Sequence, residues 1–159
     1  MPLNRDLIGR SYPVSDVYEV AREKIRDFAV AMGDLNPAYT DAAAAQAIGH
    51  ADVVAPPTFL TTLQFRFPHP SPVTDSELGL NYALVVHGEQ RFTLDRPVVA
   101  GDRIRAQQTI TDIRDAGRNE LLTVETTVTD EAGARVALAT SVIVSRGTAA
   151  PKPDQKQEA

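Results

Sequence analysis

Three segments in the second half of the chain alternate apolar and polar residues with a period of two, and this constrains the fold more than any other feature of the sequence. Arg103–Ile113 places Ile104, Ala106, Gln108 and Ile110 on one side. Leu122, Val124, Thr126 and Val128 do the same in the next run, and Val136, Leu138, Thr140, Val142 and Val144 in the last. The joints Asp115-Ala116-Gly117 and Glu131-Ala132-Gly133 read as hairpin turns, so the C-terminal half is expected to be an antiparallel meander. Tyr82–Val98 alternates less regularly ahead of it.

The first half has the helical period instead. Between Ala21 and Gly33, the residues Ile25, Phe28, Ala29 and Met32 fall on one helical face, with Arg22, Glu23, Arg26 and Asp27 opposite. Gly33 supplies a stop, and Pro37 biases Asn36 out of helical angles. A second short helix is predicted over Asp41–Ile48, capped by Thr40 and ended by Gly49. Pro56-Pro57 suits a first helical turn, so Thr58–Phe65, carrying Phe59, Leu60, Leu63 and Phe65, reads as a third helix apolar enough to be central. Pro68–Glu77 reads as a mobile surface loop. Helices followed by a long meander define an α+β domain in which a sheet wraps one buried helix. The open flank of such a domain calls for dimerisation.

One domain, residues 1–147, and a disordered tail, 148–159, account for the 159 residues. With no cysteine, a disulfide framework, thiolate metal site or cysteine nucleophile is excluded. The three histidines and the scattered carboxylates lack metal-ligand spacing, and there is no Gly-rich phosphate loop, so no metal or cofactor is expected. A net charge of −5 without a Lys/Arg cluster argues against a nucleic-acid partner. No apolar run approaches the roughly 18 residues that span a bilayer. The expectation is a soluble, cytoplasmic protein that does not engage a membrane.

Three segments together resemble the MaoC-like hot-dog dehydratases. Phe28–Tyr39, containing Gly33-Asp34-Leu35-Asn36-Pro37-Ala38-Tyr39, is similar to that family's Gly-Asp-x-Asn-Pro-x-His signature. Asp52–Leu60 resembles the approach to its central helix, and His87-Gly88-Glu89-Gln90-Arg91-Phe92 with Arg96–Asp102 resembles a strand-and-turn pattern of the same family. Length and spacing are most similar to the A-type subunit branch of actinobacterial (3R)-hydroxyacyl-ACP dehydratases. The resemblance implies a hot-dog fold that eliminates water from a (3R)-3-hydroxyacyl thioester, on ACP or CoA, to give the trans-2-enoyl thioester. Such chemistry needs a base for the α-proton, an acid for the leaving hydroxyl, and N–H donors for the enolate oxygen.

The sequence departs from the pattern twice. Asp34 is retained, but five residues later stands Tyr39 in place of histidine. A phenol with a pKa of about 10 is a poor base, so the swap forfeits most of a general-base contribution of roughly 10²–10⁴-fold. Pro57 aligns with a glycine whose N–H faces the thioester oxygen in active members, and proline has none to give. Both departures suggest a subunit that shapes the site while a partner hot-dog subunit carries the intact Gly-Asp-x-Asn-Pro-x-His, as a heterodimer. In fatty-acid or polyketide-type elongation it would bind substrate through Asn36, Pro57, Thr58, Phe59, Leu63, His87 and Gly88, with Phe59, Leu63 and Phe65 along the acyl tunnel. The alternatives are a self-sufficient homodimeric hydro-lyase using Asp34 with Tyr39 or His87, and a non-catalytic acyl-binding protein. Each residue also has a structural reading: Asp34 as a partner of loop amides, Tyr39 as a packed aromatic, His50 as a turn residue, although close enough in sequence to the central helix to reach a site mouth, His69 as solvent-facing, and Glu89 with Arg91 as one solvated face.

Overall fold

The structure is a computed structural model that describes residues 1–65 and 70–150, the last two residues before the gap by backbone alone. The Phe65 side chain, His69 and the predicted tail at 151–159 lie outside the described residues. Five antiparallel strands form one sheet: β1 (Tyr18–Glu19), β2 (Val85–Leu94), β3 (Arg103–Ala116), β4 (Asn119–Asp130) and β5 (Arg135–Ser145), in the order β1-β3-β4-β5-β2. The meander predicted from the alternating runs is β3-β4-β5. The strand β2 joins it beside β5, with His87 opposite Ile143 and Phe92 opposite Ala139. Register breaks at His87/Glu89, Ile110/Asp112 and Val128/Thr129 add local twist, which curls the sheet. The two-residue β1, pairing Tyr18 with Ile104, is too short for periodicity to detect.

Helix α1 (Arg22–Met32) buries Ile25 and Ala29 and half-buries Phe28, whereas Met32, assigned to the same face by its spacing, is 60% exposed. The core contact ends with Ala29 because Gly33 turns the chain away at φ 72°, its N–H closing on the Val30 carbonyl at 3.0 Å. Helix α2 (Ala42–Ala47) is capped one residue later than expected. The Asp41 carboxylate accepts from the Ala43 N–H at 2.8 Å, while the Thr40 hydroxyl donates to the Pro37 carbonyl at 3.3 Å.

The expected central α-helix is instead a 3-10 helix over Phe59–Phe65. The Phe59 N–H bonds the Pro56 carbonyl at 2.9 Å and the Thr61 N–H the Thr58 carbonyl at 3.0 Å, and the Thr61 hydroxyl competes for the same oxygen at 2.8 Å. Two prolines without N–H groups, and Thr61, whose hydroxyl reaches back to the backbone, favour this tighter winding. It occupies the predicted place nonetheless: Phe59, Leu60 and Leu63 are buried against Ile104, Ala106, Val128 and Ala137 inside the curl. Phe59 meets Phe28 edge to face, with ring centroids 5.6 Å apart at 81°. A second cluster, Leu3, Leu7, Tyr12, Leu78, Ile113 and Leu122, fills the other end of the sheet. Among the described residues no helix is long and apolar enough to cross a membrane.

The described part of the segment predicted to be a mobile loop is packed. Ser71, Pro72 and Asp75 are buried, as is the adjoining Leu78. Three donors converge on Asp75: the Tyr12 hydroxyl at 2.8 Å, Arg10 at 2.9 Å and the Glu77 N–H at 2.9 Å. Proline content suggested exposure, but the anchors lie far upstream, where a local reading cannot pair them. Thr148, beyond β5, is also buried and donates to the Ser145 carbonyl at 3.1 Å. Burial alone would raise the pKa of Asp75, but the bonds from Tyr12, Glu77 and Arg10 outweigh it and hold the carboxyl below its ordinary value. A depressed folded-state pKa contributes stability above the unfolded value, and this contribution is lost as pH falls through the folded value. Asp75→Asn is therefore expected to cost about 1–3 kcal/mol at neutral pH, with the deficit relative to the parent narrowing below about pH 4. Urea unfolding of both proteins across that range measures it.

Candidate functional site

The loop after α1 is held by its own side chains. The Asp34 N–H bonds the Ala29 carbonyl at 3.0 Å, completing the helix stop, and the Asp34 carboxylate accepts from the Asn36 N–H at 3.3 Å. Asn36 caps the 3-10 turn Pro37–Tyr39 by accepting from the Ala38 N–H at 3.0 Å, which leaves its amide NH₂ to donate. Tyr39 follows, half-buried. Its phenol pKa is raised, first by burial and then by the Asp34 carboxylate beside it, which repels a phenolate and attracts the phenol proton.

A small apolar cluster of Ala38, Ala45 and Val54 locks this turn to α2 and to the segment before Pro56. The Val54 N–H bonds the Ala38 carbonyl at 3.0 Å, and the Ala55 N–H bonds the Val98 carbonyl at 2.8 Å. Beyond α2, Gly49 adopts φ 95° and the His50 N–H closes on the Ala45 carbonyl at 3.1 Å, which fixes the backbone that carries the imidazole. Asn36, Tyr39, His50, Ala55 and Pro57 face Leu94, Arg96 and Pro97 across a cleft of about 440 Å³. At its rim Asp95 pairs with Arg135 at 2.6 Å and Arg96 with Asp102 at 2.7 Å.

Three of the residues singled out from the sequence, Asn36, Tyr39 and Pro57, therefore share one cleft, with Asp34 exposed behind Tyr39. Thr58 is exposed beside Pro57 and does not line it. Phe59 and Leu63, expected along an acyl tunnel, are instead buried in the core, because the 3-10 helix turns them toward the sheet. His87 lines a different cavity, of about 380 Å³, between the concave sheet face and Ser71–Val73, with Val85, Val124 and Ile143. Gly88 sits at the β2 register break, where a Cβ would come within 3.0 Å of Val144 Cγ2 and 3.3 Å of the Val142 carbonyl, so its role is steric. Glu89 and Arg91 form an exposed pair at 3.1 Å. His50, expected as a turn residue close enough in sequence to the central helix to reach a site mouth, does line the cleft.

A curled antiparallel sheet closed over one short buried segment is the hot-dog fold. Residues 6–139 match the family model described as "FAS1-like, dehydratase domain region", and the chain belongs to that family of MaoC-like hot-dog dehydratase domains. It is 53% identical to a UPF0336 protein of Parafrankia sp. over 154 residues, covering 96% of this chain and 100% of the relative. A UPF0336 protein of Streptomyces coelicolor is 50% identical, with 92% and 97% covered. Among solved structures, a MaoC-like dehydratase superposes with a TM-score of 0.80 at 35% identity, over 88% of this chain and 42% of that longer one. The HadBC (3R-hydroxyacyl-ACP dehydratase) complex from Mycobacterium tuberculosis gives 0.77 at 28% identity, over 89% and 99%.

Because the Asp34 charge adds to burial in raising the Tyr39 pKa, Asp34→Asn should shift the phenol ionisation downward, though not to its ordinary value. A spectrophotometric tyrosine titration of variant against parent measures the shift; an unchanged curve would show that the two groups do not interact.

Proposed function

We propose that this chain is the non-catalytic A-type subunit of a cytoplasmic (3R)-3-hydroxyacyl thioester dehydratase, serving fatty-acid or polyketide-type chain elongation. The observation that carries the reading is Tyr39. It occupies the cleft position where the resemblance places a histidine, and its proton is held more tightly than in a free phenol, the opposite of what a base requires. Pro57, on the same wall, offers no N–H to a thioester oxygen. A partner hot-dog subunit with an intact Asp and His would remove the C2 proton, form the C2–C3 double bond and release the hydroxyl as water.

Several features support a partner. Strand β2 is a sheet edge ten residues long. Val30, Met32, Leu35, Ile48 and Leu94 are exposed apolar residues on α1, on the loop and at the cleft. The similar HadBC chain is named as part of a complex. Within this chain, the cleft of Asn36, Tyr39, His50 and Pro57 is where the thioester end of the substrate would lie, on ACP or CoA, and the largely apolar cavity beside His87 is a second pocket on the concave sheet face. A self-sufficient hydro-lyase pairing Asp34 with His87 finds little support, because His87 lines a cavity that neither Asp34 nor Tyr39 lines.

The chain alone should hydrate crotonyl thioesters far below the ordinary enzyme range of roughly 1–10³ per second. Co-expression with a hot-dog partner carrying Gly-Asp-x-Asn-Pro-x-His should restore turnover, and Asp34→Asn should change the complex's rate only a few-fold. Light scattering should show two subunits per particle. Turnover in the ordinary range by the single protein, or loss of all activity of the complex on Asp34→Asn, would assign the chemistry to this chain instead.

A further inference from the structure

The polar groups around the cleft differ in what they still have to offer. Asp95 and Arg96 are engaged with Arg135 and Asp102. The Tyr39 phenol is occupied with Asp34. The Asn36 side-chain oxygen already accepts from the Ala38 N–H, and its amide NH₂ is left to donate. The His50 imidazole hydrogen-bonds no described residue, although it lines the cleft and its backbone is fixed by the α2 stop. A neutral imidazole carries one donor and one acceptor. Among the described residues His50 is therefore a wholly unengaged side chain on this wall that can both give and take a hydrogen bond, and the surfaces around it, Ala38, Ile48, Val54 and Leu94, are apolar.

A carbonyl oxygen only accepts and is suited by Asn36. A hydroxyl both donates and accepts, and the unengaged imidazole can answer both. We propose that His50 is the specificity residue of this cleft, reading the 3-hydroxyl of a short-chain acyl thioester while Asn36 holds a carbonyl oxygen. The proposal rests on the thioester reading above and adds the group that tells a hydroxylated substrate from a saturated one. His50 acts as a positioning residue, not a proton carrier, so it is compatible with a chain that does not run the reaction alone. An apolar wall with one such group discriminates because an analogue without the hydroxyl leaves the imidazole desolvated and unpaired.

Calorimetry on the full chain with (3R)-3-hydroxybutyryl-CoA and with butyryl-CoA tests this. The parent should bind the hydroxylated thioester about tenfold more tightly, the equivalent of one hydrogen bond. His50→Leu should erase that difference, with butyryl-CoA bound at least as tightly as by the parent because no imidazole is left unpaired, and His50→Gln, which keeps a donor and an acceptor, should retain most of it. A second readout does not depend on the Leu variant folding. The His50 ring resonances, assigned by their loss in His50→Gln, should shift with the hydroxylated ligand and not with the saturated one. Equal weakening of both ligands by His50→Leu, no discrimination by the parent, or ring resonances indifferent to the hydroxyl overturns the role of His50 alone. Failure of the parent to bind either thioester overturns the thioester reading together with it.

Discussion

The fold depends on closing the concave face of a curled sheet with very little material. A full α-helix through the curl would cover that face with several turns; here seven residues in 3-10 winding do it, and Phe59 bears the largest share. Its ring is almost wholly buried and meets Phe28 edge to face, so one contact joins α1, the inner segment and the sheet. Burying a side chain of this size contributes roughly 1.5–3 kcal/mol. Its positional effect is greater. Once Phe59 is seated, Pro57 is brought to the surface at the cleft, and Val53–Ala55 is drawn into register with Val98–Ala100.

The cleft inherits its rigidity from that seating. Ala38, Ala45 and Val54 are small, and their closeness brings the turn after α1 and the end of α2 together across a single layer of methyl groups. Larger side chains there would part Tyr39 from His50. The site is thus built from caps and turns, held by backbone hydrogen bonds, and its chemistry differs from the family pattern through which groups those turns present, not through a different backbone.

How much of this was legible follows from the range over which each signal acts. Helix α1 could be read because Ile25, Phe28 and Ala29 recur within two turns, and the meander because β3 and β4 alternate, whereas in β5 the residues opposite the buried Val128, Val124 and Leu122 are Ala137, Ser141 and Ile143, not the Val136–Val144 face that the alternation suggests. The winding of Phe59–Phe65 could not, because a run of apolar and threonine residues does not distinguish i→i+3 from i→i+4 bonding. Asp75 looked like a loop residue because its partners Tyr12 and Arg10 belong to another part of the chain. Asn36, Tyr39 and Pro57 were found through the resemblance, which encodes a three-dimensional arrangement that no period carries. For His50 the sequence offers only its nearness to the central helix, enough to reach a site mouth but not to give it a chemical role. It departs from no pattern, and only the fold shows that the end of α2 faces the turn after α1.

The irregularity at Gly88 bears on how subunits of this kind find one another. An unpaired strand edge is indiscriminate, since any extended backbone can dock on it. In β2, two residues span the space of one at His87/Glu89, so the row of N–H and C=O groups loses its even spacing partway along. A regular strand approaching that edge would fall out of step beyond the break. The crowding at Gly88 by Val144 and Val142 keeps the irregularity in place, since a side chain there would collide with the neighbouring strand. The same glycine that lets β2 lie against β5 thus acts as a filter against fibre-like self-stacking, leaving the edge open to surfaces shaped to follow its kink.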